Sequence, residues 1–170
     1  MSQHEFTLVL DRTPNEDELD TLFEAGLDDS TPEFGPRAVP VLHVHRDADS
    51  LATAVVSAVA QAEAAGLEVV GVRTEDLVTL KTIAARTSRT YEAVRRLANG
   101  ERGPGGFPAS MSGDGYALYS WTEVARWFAE HYGIPDTTTY YDRIIAAADH
   151  LVRARRLLGG DIGQLAALAG

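Results

Sequence analysis

A chain of 170 residues, 45% hydrophobic and 24% charged, has the composition of a packed globular protein and not of a disordered polymer. It holds no cysteine, which removes disulfides, thiolate metal sites and a cysteine nucleophile, and its net charge of −10 argues at first sight against a nucleic-acid partner. The start, Met-Ser-Gln-His-Glu, lacks the basic and apolar regions of a signal peptide, and the longest apolar stretch, Leu51 to Ala65, is interrupted and too short for a bilayer, so a cytoplasmic protein without a membrane partner is expected.

In chain order, Glu5 to Asp11 alternates, with Phe6, Leu8 and Leu10 on one face, the period of a half-buried strand. Thr13-Pro14-Asn15-Glu16 opens a helix in which Thr13 is expected to cap and Glu16 to complete a capping box; Leu19, Leu22 and Phe23 form its apolar stripe and Gly26 ends it. The acidic, Pro/Gly-punctuated stretch from Asp28 to Pro36 has room for one short strand, and Val39 to Arg46 is a clearer one. Asp49 is expected to cap a second helix, with Leu51, Val55, Val59 and Ala62 along its stripe and Gly66 at its end, followed by the β-branched run Leu67 to Val72. The order β-α-β-β-α-β predicts a ferredoxin-like split-βαβ domain over residues 1–73.

After Arg73 the spacing turns helical. Asp76 to Ala85, Thr90 to Ala98 and Ser120 to His131 are expected as helices, with a Gly/Pro/Ser-rich segment from Asn99 to Gly115 before the third. Gly133-Ile134-Pro135 then breaks the chain, and Asp136 to Leu158 offers a long helix with Tyr140, Ile144, Ala148, Leu151 and Leu158 near one face. The expected fold class is therefore α+β: an acidic domain over 1–73, a helix-turn-helix unit over 74–132 and a C-terminal helical segment over 133–170. Ile144, Leu151 and Leu158 recur at heptad spacing, which predicts a homodimer.

The distribution of charge qualifies the whole-chain value. Residues 1–72 carry three basic against fourteen acidic side chains, residues 73–132 eight against seven, and residues 133–170 four against four. Between Lys81 and Arg102 the count is six basic against two acidic, a local positive patch of the kind a phosphate backbone needs. That interval holds Leu80-Lys81-Thr82-Ile83-Ala84-Ala85-Arg86, a short turn, and Thr90-Tyr91-Glu92-Ala93-Val94-Arg95-Arg96-Leu97. Thr79 and Thr90 are natural N-caps, and Leu80, Ile83, Ala84, Val94 and Leu97 supply the buried faces. Arg89, Tyr91, Glu92, Arg95 and Arg96 are left pointing outward, as on a recognition helix.

Downstream lie Gly103-Pro104-Gly105-Gly106-Phe107-Pro108 and Tyr116-Ala117-Leu118-Tyr119, expected as a wing-like hairpin, then Ser120-Trp121-Thr122-Glu123-Val124-Ala125-Arg126-Trp127, with Ser120 and Glu123 as a capping box and Trp121, Val124, Trp127 and Phe128 buried together. The segment from about 75 to 132 resembles the winged helix-turn-helix of the MerR superfamily, in particular its excisionase-like and phage-regulator branch. Ser88 stands where such turns usually carry glycine, and the Gly100 to Gly106 loop is longer than the usual wing entry. The resemblance implies a double-stranded DNA partner, with Lys81, Arg89, Thr90, Tyr91, Glu92, Arg95, Arg96 and Arg102 as contact residues and no cofactor.

Weaker signals are read structurally. His43 and His45 share a strand face without an evident third ligand, so no metal is expected. The carboxylates between Asp11 and Glu33 lack an accompanying His or Lys, which gives acid-base catalysis no support, and no enzyme is expected. The acidic N-terminal domain is expected to face away from DNA as a dimerisation, ligand-sensing or protein-docking module. Fourteen Arg against the single Lys81 fit a high-GC bacterial coding sequence. The leading expectation is a sequence-specific bacterial transcriptional regulator or accessory DNA-binding protein. The alternative is a protein-interaction adaptor whose winged helix no longer binds DNA.

Overall fold

The computed structural model describes residues 1–113, 115–159 and 163–169 and has a mixed α+β architecture. The chain forms two compact units, one of Met1–Arg73 together with the segment from Ile144 onward, the other of Thr74–Arg143. Among the described residues no helix is long and apolar enough to cross a membrane.

The first unit is built on strands β1 (Ser2–Leu10), β2 (Ser30–Gly35), β3 (Ala38–Ala48) and β4 (Val69–Val72), which form an antiparallel sheet of order β2-β3-β1-β4. Helix α1 (Glu16–Leu22) lies between β1 and β2, and α2 (Leu51–Ala64) between β3 and β4. The alternation of β1 places Phe6 opposite Val44 and Leu8 opposite Leu42, and all four are buried in one core with Leu22 of α1 and Leu51, Val55 and Val59 of α2. Two caps differ from expectation by a residue or two. Asn15, not Thr13, caps α1: its side chain accepts the Glu18 N–H and the Glu18 carboxylate accepts the Asn15 N–H, Asn being the stronger capping residue of the two. Ser50, not Asp49, caps α2 through the Thr53 N–H at 3.1 Å. Gly26 adopts φ +93° in a π turn after α1, the left-handed conformation expected of a terminating glycine.

Two buried polar groups tie this unit together. Arg46, 7% exposed, grips the Asp29 carboxylate with Nε and Nη2 at 2.8 and 2.9 Å, and also donates to the Gly26 carbonyl and to Ser57 Oγ. Helix α6 (Tyr140–Leu157) buries Ile145 and Val152 in the same core. From α6 the Asp149 carboxylate, 2% exposed, accepts the Val72 N–H at 2.9 Å and pairs with Arg153 at 2.8 Å. Since β4 is an edge strand, this carboxylate satisfies an amide that the sheet leaves open. Helix α6 from Ile144 thus packs with the first unit, where the sequence set 133–170 apart. The helix also begins later than the expected Asp136, because Asp136 accepts the Thr138 N–H and Thr139 Oγ1 accepts that of Asp142.

The second unit contains β5 (Leu77–Thr79), α3 (Leu80–Arg86), α4 (Tyr91–Ala98), β6 (Leu118–Ser120) and α5 (Trp121–Tyr132). Its core is Val78, Ile83, Ala84, Val94, Leu97, Tyr119, Val124, Trp127 and Phe128. Leu77–Thr79 is a strand and not the first turn of a helix starting at Asp76, because it pairs with β6, Val78 opposite Tyr119. Asp76 instead serves α5, its carboxylate accepting the Thr122 N–H at 2.7 Å and the Thr122 hydroxyl at 2.6 Å. The hairpin expected between 103–108 and 116–119 is absent among the described residues, since β6 takes β5 as its partner. The 103–108 segment turns at Gly103, Gly105 and Gly106, all at positive φ, which no regular ladder accommodates. It inserts Phe107 edge-on to Tyr119, Trp127 and Phe128.

Candidate nucleic-acid interface

Each helix of the α3–α4 pair starts where a threonine side chain can accept an orphan amide: Thr79 Oγ1 takes the Thr82 N–H and Thr90 Oγ1 the Ala93 N–H, each at 3.2 Å. Between them α3 ends on a left-handed residue, Ser88 at φ +54°, with the Arg89 N–H reaching back to the Ala84 carbonyl at 2.9 Å. The turn resembles one closed by glycine, and Ser88 occupies the strained position in its place. Val94 and Leu97 bury one side of α4, so the remaining positions form an outward polar face.

On that face Tyr91 is 53% exposed, and Lys81 on α3 and Arg102 beyond α4 are also exposed. Neither Lys81 nor Arg102 has an ion-pair partner among the described residues. The other cations are engaged. Arg95 donates Nε and Nη2 to the Glu92 carboxylate at 2.9 Å each, and Nη1 to Glu101 at 3.1 Å. Arg96 Nε also reaches Glu92, at 3.0 Å. These hydrogen bonds, from Arg95 first and then Arg96, hold the Glu92 carboxyl down at about 2, and Glu101 is lowered by the Asn99 amide and by Arg95. The C-terminal half of α4 is therefore a charge-balanced network of two arginines and two glutamates rather than the free basic cluster that residue counting suggests.

Arg89 is not a free outward cation either. Its guanidinium carbon lies 4.5 Å from the ring centre of Tyr132 and 5.4 Å from that of Phe128. The structure thus brings Arg89, Thr90, Tyr91 and Glu92 together at the entrance of α4, links Arg95 and Arg96 through Glu92, and leaves Lys81 and Arg102 as separate exposed charges. Residue patterns had not singled out Tyr132, Glu101 or Arg86, which sits 4.8 Å over the Trp121 ring. For Tyr132 a signal existed in its i,i+4 spacing from Phe128 on α5. Trp127 is core, its indole N–H donating to the Gly105 carbonyl at 3.1 Å.

Elsewhere, His43 is engaged across strands, Nε2 lying 2.7 Å from Glu33 and Nδ1 3.0 Å from the Thr7 hydroxyl, while His45 faces Glu5 at 3.5 Å. No group of three or more His, Cys, Asp or Glu that could hold a metal occurs among the described residues. An open cleft of about 420 Å³ in the second unit is lined by Asp76, Arg86, Trp121, Thr122, Thr138 and Asp142, among others. Asp76 is already engaged there by Thr122, and Asp142 by Thr139. No family model, curated protein or solved structure matches the chain.

Proposed function

We propose that the second unit binds double-stranded DNA as a winged helix-turn-helix, and that the protein is a sequence-specific bacterial transcriptional regulator or accessory DNA-binding protein. The observation that carries this reading is the α3–α4 pair. Two short, threonine-capped helices cross through Ile83, Ala84, Val94 and Leu97, and the second helix presents Thr90, Tyr91, Glu92, Arg95 and Arg96 on its open side. Lys81, Arg89 and Arg102 supply the flanking positive charge, and Glu92 and Tyr91 add acceptor and hydroxyl chemistry suited to base edges and phosphates. In this reading the segment carrying Arg102 and Phe107 is the wing, built as a packed loop instead of a hairpin.

The first unit, whose strand order is that of a split-βαβ, ferredoxin-like domain, serves in this reading as the partner-facing module, for a second copy, another protein or a small molecule. Support for a second copy comes from the apolar groove between α2 and α6, about 450 Å³, where Val56 is 69% and Leu151 54% exposed.

The adaptor reading draws its support from one specific feature, the pairing of Arg95 and Arg96 with Glu92 and Glu101, which removes net positive charge from the recognition face. Selection of bound duplexes from a random pool, followed by titration of the winners over a range of salt concentrations, separates the two. A regulator yields a consensus and a steep salt dependence, and an adaptor retains no duplex even at low salt.

A further inference from the structure

Arg89 stands apart from the other cations of the second unit. Its Nε is buried without a hydrogen-bond partner, its guanidinium lies against the adjacent rings of Tyr132 and Phe128, and among the described residues no carboxylate pairs with it. A guanidinium in this state has lost water from the side that meets the rings and from Nε, and its accessible hydrogen-bonding capacity is at Nη1 and Nη2, a planar pair of nitrogens that matches two oxygens of one phosphate.

The aromatic seat is itself anchored. Phe128 is 1% exposed and fixed in the core. Tyr132 closes α5, and the loop carrying Arg102 is folded against it: a Cβ on Gly103 would fall 2.9 Å from the Tyr132 hydroxyl and 2.6 Å from Leu97 Cδ2, at a backbone φ of +88° that favours glycine. One tyrosine thus contacts both the residue before the α4 cap and the loop that follows α4.

On the reading of this unit as a DNA-binding module, we infer that Tyr132 is a positioning residue which holds Arg89 flat, so that its terminal nitrogens take a backbone phosphate of the duplex at the entrance to α4. Stacking replaces the rotamer freedom of a surface arginine with one orientation before DNA arrives, which is what preorganisation of a contact requires. Phosphate is the ligand chemistry because the contact is a fork of charged donors that no carboxylate among the described residues neutralises, and it positions the protein without reading sequence.

The test is fluorescence anisotropy of the full chain on its selected duplex across a salt series, for wild type, Tyr132→Phe, Tyr132→Leu, Arg89→Ala and the Tyr132→Leu/Arg89→Ala pair, below the melting temperature of each. Tyr132→Phe keeps the ring and should bind within about twofold of wild type. Tyr132→Leu and Arg89→Ala should each weaken binding about five- to tenfold at 0.1 M salt and flatten the log–log salt slope by about 0.9, the signature of one lost phosphate contact. The double variant should match either single one, since the tyrosine acts through the arginine. Losses that multiply, a wild-type slope for Tyr132→Leu, or a Tyr132→Phe as weak as Tyr132→Leu would overturn the positioning role while leaving DNA binding in place. A wild-type chain that binds no duplex at low salt overturns both.

Discussion

Replacing Glu101 by glutamine removes one of the two carboxylates that hold Arg95. Arg95 makes four contacts to carboxylate oxygens: Nε and Nη2 to Glu92 at 2.9 Å each, and Nη1 and Nη2 to Glu101 at 3.1 and 3.4 Å. Glu101→Gln leaves the Glu92 fork in place, reduces the hold on Nη1 to that of a neutral amide oxygen and takes the four-residue network of Arg95, Arg96, Glu92 and Glu101 from neutral to one net positive charge. If α4 lies against the duplex, the released guanidinium gains a phosphate contact, and the slope of log K against log salt steepens by about 0.9. The ratio of variant to wild-type affinity should then fall about 3.5-fold between 50 and 200 mM salt, with the variant the tighter binder at the low end. Anisotropy on the selected duplex reads this directly. Glu16→Gln on α1 serves as the control, because it changes net charge equally in the first unit and should leave the slope unaltered. Equal slopes and equal affinities for wild type and Glu101→Gln, or weaker binding by the variant, would refute the placement of this half of α4 on DNA.

Phe128→Ala should cost about 3–5 kcal/mol of the second unit's stability, since the side chain is 1% exposed and meets Phe107, Trp127 and Tyr132. Thermal melting followed by near-ultraviolet circular dichroism would show it, and a loss below about 1 kcal/mol would contradict the packing. The Glu92 carboxyl should titrate at about 2 by carbon-detected NMR, against an ordinary value of 4.5, and move upward in Arg95→Ala. Because the folded value is depressed, the network's contribution to folding is present above about pH 4.5 and is lost as the pH falls toward about 2. A wild-type midpoint near 4.5 would mean that the network does not form in solution. Sedimentation of the intact chain should show a dimer that Val56→Asp and Leu151→Asp, both at exposed groove positions, convert to monomer without loss of fold; a monomeric wild type ends that proposal.

Local chemistry was legible in the sequence wherever one residue type and its neighbours decide the outcome. The alternation in β1, the threonine caps at Thr79 and Thr90, the serine cap at Ser120 and the buried sides of α3, α4 and α5 follow from periodicity and from the need of the first helical amides for an acceptor. The strand of Leu77–Thr79 was not legible, because three residues carry too short a period to distinguish from a helical turn, and their identity depends on β6 lying about forty residues onward. Composition likewise placed six cations between Lys81 and Arg102 but could not say which were available. That depends on distances: Glu101 is sixth in sequence from Arg95 yet within 3.1 Å of it, and Tyr132 is far from Arg89 in the chain yet beneath its guanidinium. The pairing of Glu92 with Arg95 and Arg96 at i,i+3 and i,i+4 is local to α4, but contacts across elements act through space, so the tertiary structure alone decided that Glu101 joins Arg95, that Arg89 is seated against aromatic rings, and that Lys81 and Arg102 stand as open charges.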